Sequence, residues 1–272
     1  MEMPRSAAWT RRLRRIGAPA AGALLALSAC SAPGSEAGPG AGADGAGPAG
    51  TVTVFAAASL KESFTELGER FEKAHPGARV AFNFGGSDTL AAGIANGAPA
   101  DVFAAAGPTP MKLVTDQGLT DGAPSTFARN RLEIATAPGN PHRIDSLQDL
   151  ADPGLKVVLC DTTVPCGAAA RTALTAGGVD VSPASYERDV KSALTKVRLK
   201  EADAAVVYRT DVRAAGDTVE GVEFPEAGRA VNDYPLAVLD NAPNPGAAEA
   251  FVRLVTSAEG RKVLGEAGFL AP

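Results

Sequence analysis

Five residues stand at predicted helix starts or at the end of a predicted strand: Ser59, Ser87, Cys166, Val190 and Tyr208. The first four are expected at helix starts, where the first backbone N–H groups have no partner inside the helix. Those N–H groups and the positive end of the helix dipole favour a negative charge nearby. With the hydroxyls of the two serines and the tyrosine, they form a set of neutral hydrogen-bond donors. This pattern predicts an anion held by dipoles rather than by cationic side chains.

Each of these positions also has a purely structural interpretation. Ser59 and Glu62 have the S-x-x-E spacing of a capping box, in which the two side chains satisfy helix-end donors. Ser87 or Asp88 can serve as the N-cap of the next helix. Tyr208 can be a packed side chain with its hydroxyl at the surface. The recurrence of similar strand-to-helix corners along one chain favours the anion site over a chance set of caps.

Alternating strands and helices are expected to position these residues. Apolar runs predict strands that begin near residues 52, 80, 101, 132, 155, 204 and 234. Helices are predicted at 60–71, from 87, at 108–117, 168–176 and 189–200, and as two short helices within 245–264. Such alternation indicates an α/β fold with largely parallel sheets, whose ligands lie beyond the carboxyl ends of the strands. The predicted strands and helices are numerous enough to form two sheets.

The first 50 residues differ in composition from the rest of the chain. Five arginines precede an apolar run at residues 16–27, which is typical of a secretory signal and is too short for a membrane span. The run ends in Leu-Ser-Ala-Cys30, which resembles the bacterial lipoprotein box. The resemblance implies a signal peptide at 1–29 and a lipid on Cys30; the alternative is an ordinary signal peptide with a chance cysteine. Residues 30–50 are then the lipidated cysteine and a flexible Gly/Ala/Pro linker.

The charge balance argues against nucleic acid as a partner. Cleavage after residue 29 removes five arginines and one glutamate from the 26 basic and 31 acidic residues, which leaves 21 basic residues, 30 acidic residues and a net charge of −9. Nucleic-acid binding relies on clustered Lys and Arg.

The remaining cysteines, Cys160 and Cys166, lie in a chain that is expected to be exported. Thiols oxidise in such compartments, so a disulfide between them is predicted, with two free thiols as the alternative. A metal site is disfavoured, because His75 and His142 have no zinc-type spacing with the cysteines.

Six short segments carry a resemblance to a known family. They are 55–60, 86–90, 97–103, 164–167, 189–190 and 207–208, with the sequences FAAASL, GSDTL, GAPADVF, VPCG, DV and VY. Their order and spacing resemble the molybdate-binding proteins of ABC importers, over residues 52–269. The resemblance implies a two-lobed periplasmic-binding-protein fold of type II, with two mixed, mostly parallel sheets flanked by helices. Lobe 1 would comprise 51–129 and 233–272, lobe 2 would comprise 130–232, and the hinge would lie near Arg129 and Asp233.

The same resemblance implies how the ligand is held. Ser59 and Ser87 would give hydroxyl and backbone donors, Cys166 and Val190 backbone N–H groups, and Tyr208 its hydroxyl. Asp101 matches a family position that we interpret as structural. Asp88 departs from the family pattern, and its carboxylate could repel a dianion unless it points away.

The expected function is therefore an extracytoplasmic lipoprotein that captures molybdate, and also tungstate, and delivers it to an ABC permease. No catalysis, cofactor or side-chain metal ligand is expected, and the protein should be a monomer held at the outer face of the cell membrane by its lipid. A sulfate or phosphate binder, with Asp88 as acceptor for a protonated anion, is the alternative. A secreted serine hydrolase is disfavoured because no G-x-S-x-G is present, and a passive surface lipoprotein would bind no ligand.

Overall fold

Residues 47–272 are described by the computed structural model, and they form strands and helices in alternation. The predicted signal peptide, Cys30 and most of the predicted linker lie outside the described residues. The strands are β1 Gly50–Ala57, β2 Ala78–Gly85, β3 Val102–Ala104, β4 Ser125–Asn130, β5 Leu132–Thr136, β6 Val157–Cys160, β7 Ser185–Glu187, β8 Ala204–Tyr208, β9 Glu220–Val222 and β10 Asn232–Val238. The helices are α1 Lys61–Ala74, α2 Ser87–Ala95, α3 Pro108–Thr115, α4 Pro165–Gly177, α5 Val190–Arg198, α6 Arg209–Ala215, α7 Pro245–Thr256 and α8 Ala258–Glu266.

The strands form two five-stranded sheets. The first has the order β2-β1-β3-β10-β4 and the second the order β7-β6-β8-β5-β9. In each sheet three neighbouring strands are parallel, and the other two pairings are antiparallel. The α/β class with two mixed sheets is thus confirmed, but antiparallel pairings are as frequent as parallel ones, because β10 and β5 run against their neighbours.

We call the first sheet with α1, α2, α3, α7 and α8 the first lobe, and the second sheet with α4, α5 and α6 the second lobe. The chain leaves the first lobe between β4 and β5 and returns between β9 and β10. Beside this crossing, the Arg129 side chain on β4 donates to Asp233 on β10 at 2.7 Å. The two segments expected at the hinge are therefore neighbours. Among residues 47–272, no helix is both long and apolar enough to cross a membrane.

Aromatic packing forms the core of the first lobe. On α1, residues Phe64, Leu67 and Phe71 are buried at the helical spacing seen in the sequence. Phe251 of α7 meets Phe64 and Phe71 edge-to-face, with ring centroids 6.0 and 5.6 Å apart. This packing fixes α1 against the sheet, and so it fixes the segment that connects β1 to α1.

The second lobe is packed with smaller side chains. All five residues of β8 are buried, which is expected of a strand with neighbours on both edges and helices on its faces. The buried face of α5, formed by Ala193, Leu194 and Val197, packs onto this sheet. The end of β8 thereby places Tyr208 close to the start of α5.

A disulfide joins Cys160 at the end of β6 to Cys166 in the first turn of α4, with their Cα atoms 5.8 Å apart. The two cysteines are therefore not free thiols. The turn between them is tight, because a Cβ on Gly167 would lie 1.9 Å from the carbonyl oxygen of Asp161. The covalent bond and the glycine together fix the position of the α4 N-terminus.

Loss of this disulfide is expected to lower the free energy of unfolding by about 2 kcal/mol, the chain-entropy value for a loop this short, given the sequence separation of 6. Urea denaturation of the oxidised and the thiol-reduced protein measures the difference. The double variant Cys160→Ala/Cys166→Ala is the control, since its stability should not respond to the reductant. Equal stability of the oxidised and reduced wild type would contradict the prediction.

Candidate anion-binding site

A small cavity lies between the lobes, at the carboxyl ends of β1, β2 and β8. Its lining comes from the first lobe at Ala57, Ala58, Ser59, Gly85, Gly86, Ser87 and Ala106, and from the second lobe at Val164, Pro165, Cys166, Arg188, Asp189, Val190 and Tyr208. All five residues predicted from the sequence are therefore brought together. This is the location expected for a ligand in an open α/β sheet.

The cavity is small. Its volume is about 20 Å³, and a single ordered water needs roughly 10–15 Å³. The described structure thus leaves little free space between the lobes at this point.

Three helices begin at the cavity wall. The N-cap residues of α2 and α4 are Gly86 and Val164, and neither side chain caps its helix. On α5 the Asp189 carboxylate accepts the backbone N–H of Ser192 at 2.9 Å, which leaves the first N–H groups of that helix unused by the cap. The free N–H groups of all three helices are thus available to an anion.

The capping box predicted at Ser59 and Glu62 is absent. Ser59 lies within a 3-10 turn, Ala58–Leu60, that precedes α1, and the extended residue before this turn is Ala57, which has no side-chain oxygen. Ser59 Oγ instead bonds to the hydroxyl of Tyr234 at 2.8 Å, and Glu62 bonds to Lys191. The predicted cap at Ser87 or Asp88 is wrong as well, because Gly86 holds the N-cap position. In both cases tertiary contacts decide the position of the side chain.

A buried chain of hydrogen bonds orients the Ser59 hydroxyl. Asn130 Oδ1 accepts the Arg131 N–H at 3.0 Å, so its Nδ2 group faces Thr210 and Tyr234, at 2.8 and 3.3 Å. The Tyr234 oxygen accepts from Asn130, and either hydroxyl of the Ser59–Tyr234 pair can donate to the other. When Tyr234 donates, the Ser59 hydrogen is left for a ligand.

The other two hydroxyls are oriented in the same way. Ser87 Oγ accepts the Ala106 N–H at 3.0 Å. The Tyr208 hydroxyl accepts Asn232 Nδ2 at 2.9 Å, and the same Nδ2 donates to the Ala106 carbonyl at 2.7 Å, which identifies it as the amide nitrogen. Ser87 Oγ and the Tyr208 oxygen thus each accept one hydrogen bond, and neither of these bonds uses the hydroxyl hydrogen.

Burial keeps the tyrosines neutral. Tyr208 and Tyr234 are 1% and 0% exposed, and burial is the largest cause that raises the pKa of each hydroxyl above its usual value. Both groups therefore remain protonated at physiological pH. A protonated hydroxyl is a donor, as an anionic ligand requires.

The acidic residues near the cavity differ in their contacts. Asp189 lines the cavity, and its two oxygens accept from the N–H and hydroxyl of Ser192, each at 2.9 Å. Asp88 is not among the lining residues, but its Oδ1 is buried without a hydrogen-bond partner and lies next to Gly86 of the cavity wall. The expected effect of Asp88 on a bound dianion therefore stays a prediction. Asp101 is fully buried and accepts the N–H groups of Thr53 and Asn244 at 2.7 and 2.5 Å, as a structural residue would.

Three residues contact the hydroxyls of the cavity without lining the cavity, and we call them the residues behind the wall: Asn130, Asn232 and Tyr234. The sequence did not predict this role. The predicted strand at 234–239 included Tyr234, but nothing in a single sequence pairs it with Ser59. An asparagine next to each crossing segment is the one available signal, and it is weak.

The lobes touch next to the cavity. A Cβ on Gly86 would lie 2.7 Å from the carbonyl oxygen of Arg188 in the opposite lobe. Gly86 has an ordinary φ of −61°, so the glycine is needed here for space rather than for backbone conformation.

Asp211 supports Tyr208 from the second lobe. Its carboxylate is completely buried and accepts the Tyr208 N–H at 3.3 Å, and its other oxygen lies 3.0 Å from Lys191 Nζ. Burial raises the pKa of Asp211 to about 6, although Lys191 acts to lower it.

The family model for the bacterial extracellular solute-binding proteins matches residues 52–270. The chain belongs to this family. The match covers the two lobes and every residue of the cavity wall. The resemblance inferred from the six short segments is thereby confirmed at the level of the family.

Curated relatives extend over nearly all of the chain. The molybdate-binding protein ModA of Mycobacterium tuberculosis (strain H37Rv) is 43% identical over 249 residues, which is 92% of this chain and 93% of the relative. ModA of Escherichia coli K12 is 31% identical over 230 residues, 81% of this chain and 89% of the relative.

Solved structures share the fold. The periplasmic molybdate-binding protein of Azotobacter vinelandii matches with a TM-score of 0.71 at 22% identity, over 81% of this chain and 99% of the other. The sulfate-binding protein SubI of M. tuberculosis also gives 0.71, at 20% identity, over 80% of this chain and 86% of the other. The two-lobed architecture of this solute-binding protein is therefore that of oxyanion-binding relatives.

The substitution Gly86→Ala is expected to weaken oxyanion binding by about tenfold or more, because the added methyl group meets the Arg188 carbonyl when the lobes are together. Calorimetric titration measures the affinity. Gly265→Ala is the matched control, since its Cβ would meet nothing within 4 Å. Equal affinity of the Gly86→Ala variant and the control would show that the two lobes need not approach this closely.

The buried Asp211 predicts a pH dependence of stability. Its pKa is raised to about 6 in the folded protein from an ordinary value of 3.8, so the folded state binds this proton more tightly than the unfolded state. The stability that protonation gives is fully present below about pH 4 and is lost as the pH rises through about 6. The free energy of unfolding of Asp211→Asn, measured by urea denaturation, should fall less than that of the wild type between these pH values. An equal change of the free energy of unfolding with pH in the wild type and in Asp211→Asn would contradict the raised pKa of Asp211.

Proposed function

We propose that this solute-binding protein captures molybdate outside the cytoplasm and delivers it to an ABC permease in the cell membrane. Tungstate, which has the same charge and shape, is proposed as a second ligand. The protein acts by binding and release, and it needs no cofactor and catalyses no reaction.

The set of oriented donors is the observation that carries this proposal. Ser59, Ser87 and Tyr208 each have a hydroxyl hydrogen to give, and the helix starts at Cys166 and Val190 add backbone N–H groups. These donors come from both lobes and surround a space for a few atoms. A tetrahedral oxyanion with four acceptor oxygens is the ligand that satisfies such a shell.

The donors also select the protonation state of the ligand. Molybdate, tungstate and sulfate carry no proton at neutral pH, whereas phosphate carries at least one and needs an acceptor. Asp88 does not line the cavity, and each oxygen of Asp189 already accepts one hydrogen bond from Ser192. A protonated phosphate would leave a polar group unpaired, at a cost of about 1–3 kcal/mol.

The choice of molybdate over sulfate rests on the relatives. The curated proteins that match this chain at 43% and 31% identity are named molybdate-binding proteins. Sulfate is the second candidate, because it is also an acceptor-only dianion and SubI shares the fold. Donor chemistry does not separate the two anions, so the separation must come from the size of the cavity.

A hydrolytic function has no support in the cavity. The two histidines of the chain, His75 and His142, do not line it, so Ser59 and Ser87 have no imidazole base. Ser59 and Ser87 are placed as hydrogen-bond donors rather than as nucleophiles.

The cellular location follows from the sequence. We propose that the chain is exported, that Cys30 carries a lipid, and that the monomeric binding domain remains attached to the outer face of the membrane by its linker. Metabolic labelling with a radioactive fatty acid tests this, since Cys30→Ser should abolish the label.

Calorimetric titration of the purified protein with molybdate, tungstate, sulfate and phosphate tests the ligand. Tight binding of molybdate and tungstate, weaker binding of sulfate and no heat with phosphate are expected. Binding of phosphate alone would exclude the proposed function, and preference for sulfate would replace molybdate as the ligand.

The substitution Tyr208→Phe is expected to weaken molybdate binding by roughly 10- to 100-fold, because a hydrogen bond to a charged group contributes about 1.5–3 kcal/mol. Thermal melting of the protein with added molybdate measures the change as a smaller ligand-induced rise in Tm. Tyr186→Phe is the control, because Tyr186 is 57% exposed and does not line the cavity. An unchanged affinity for Tyr208→Phe would remove its hydroxyl from the donor set.

A further inference from the structure

Lys191 follows the cavity residue Val190 on α5, and its side chain crosses from the second lobe to the first. Its Nζ lies 2.8 and 3.0 Å from the two carboxylate oxygens of Glu62 on α1. It also lies 3.0 Å from Asp211 in its own lobe. Among residues 47–272, this is the one ion pair that joins the two lobes.

The ammonium group is held in place by its own lobe. Lys191 is 22% exposed, and Asp211 is fully buried. Burial acts to lower the pKa of Lys191, but Asp211 and Glu62 outweigh it, so the lysine stays charged. A cation that is already fixed loses little further freedom when a second carboxylate reaches it.

Glu62 provides the carboxylate of this ion pair from the first lobe. It lies in the first turn of α1, immediately after the Ser59 segment, and its side chain is 49% exposed. Glu62 and Lys191 line a groove of about 600 Å³ beside the ligand cavity, and both lobes form its walls. Separation of the lobes would open this groove and part the two side chains.

We propose that Glu62 and Lys191 form a latch that determines how long the lobes stay closed on the bound anion. This inference rests on the proposed function and adds two affinity-determining residues that do not line the ligand cavity. The pair forms only after closure, so it acts on ligand release and leaves the rate of ligand entry nearly unchanged.

The test is Glu62→Gln, which keeps the size of the side chain and removes its charge. Stopped-flow measurement with sodium molybdate should give a dissociation rate roughly threefold to tenfold higher than that of the wild type, with the association rate unchanged. The Tm of the ligand-free protein should not fall, because the latch is open in that state. The difference in dissociation rate should shrink at high salt.

Glu66→Gln is the matched control. Glu66 lies one turn further along α1 with the same 49% exposure, and it pairs with Arg70 on its own helix at 2.7 Å. Molybdate should dissociate from the Glu66→Gln variant at the same rate as from the wild type. In the Lys191→Gln background, Glu62→Gln should cause no further increase, because the partner charge is already absent.

The possible failures are distinguishable. A wild type that binds no molybdate would overturn the proposed function and the latch with it. A wild type that binds molybdate and a Glu62→Gln variant with the same dissociation rate would overturn the latch alone. A lower Tm of ligand-free Glu62→Gln, relative to Glu66→Gln, would also overturn it, since the pair would then be part of the fold in both states.

Discussion

The orientation of three buried hydroxyl groups is the constraint on which this site depends. Ser59, Ser87 and Tyr208 are at most 4% exposed, and the oxygen of each already takes part in a hydrogen bond with a group behind the wall. A buried hydroxyl hydrogen without an acceptor is costly. These buried hydroxyl groups therefore favour a ligand that supplies acceptors, and in the proposed function they select acceptor-only anions.

Each lobe supplies only part of this shell. The two serines belong to the first lobe, whereas Cys166, Val190 and Tyr208 belong to the second. An anion that satisfies donors from both lobes binds the closed arrangement better than the open one, and such differential affinity is the only way a ligand shifts a conformational equilibrium. In the proposed function, capture and closure are thus two aspects of the same event, with the β4 and β10 segments as the connection between the lobes.

Local sequence patterns predicted the parts of the site that depend on local structure. An apolar run followed by small and polar residues identifies the strand-to-helix corners at Ser59, Ser87 and Cys166, and these corners are present. The helix start at Val190 was instead predicted from its cap, Asp189. The residues behind the wall were not predictable in this way, because Asn130 and Asn232 meet through the antiparallel register of β4 and β10. The same limit explains the missing capping box, where Tyr234 rather than Glu62 determines the orientation of Ser59. Strands β4, β7 and β9 were not predicted for a related reason, because they lack an apolar run and are defined by pairing with neighbouring strands.

Discrimination among dianions must come from a different part of the structure. Small movements let hydroxyl and N–H donors adjust to an anion of slightly different radius. These donors alone therefore discriminate poorly between molybdate and sulfate. The distance between the lobes is set by atoms that cannot move in this way, since the backbone at Gly86 meets the Arg188 carbonyl. The α4 N-terminus is fixed by the disulfide and by Gly167. An anion too small for this fixed spacing leaves donors unsatisfied, and one too large keeps the lobes apart. In the proposed function, size selection therefore resides in the rigid backbone around the cavity, and charge selection resides in its hydroxyls.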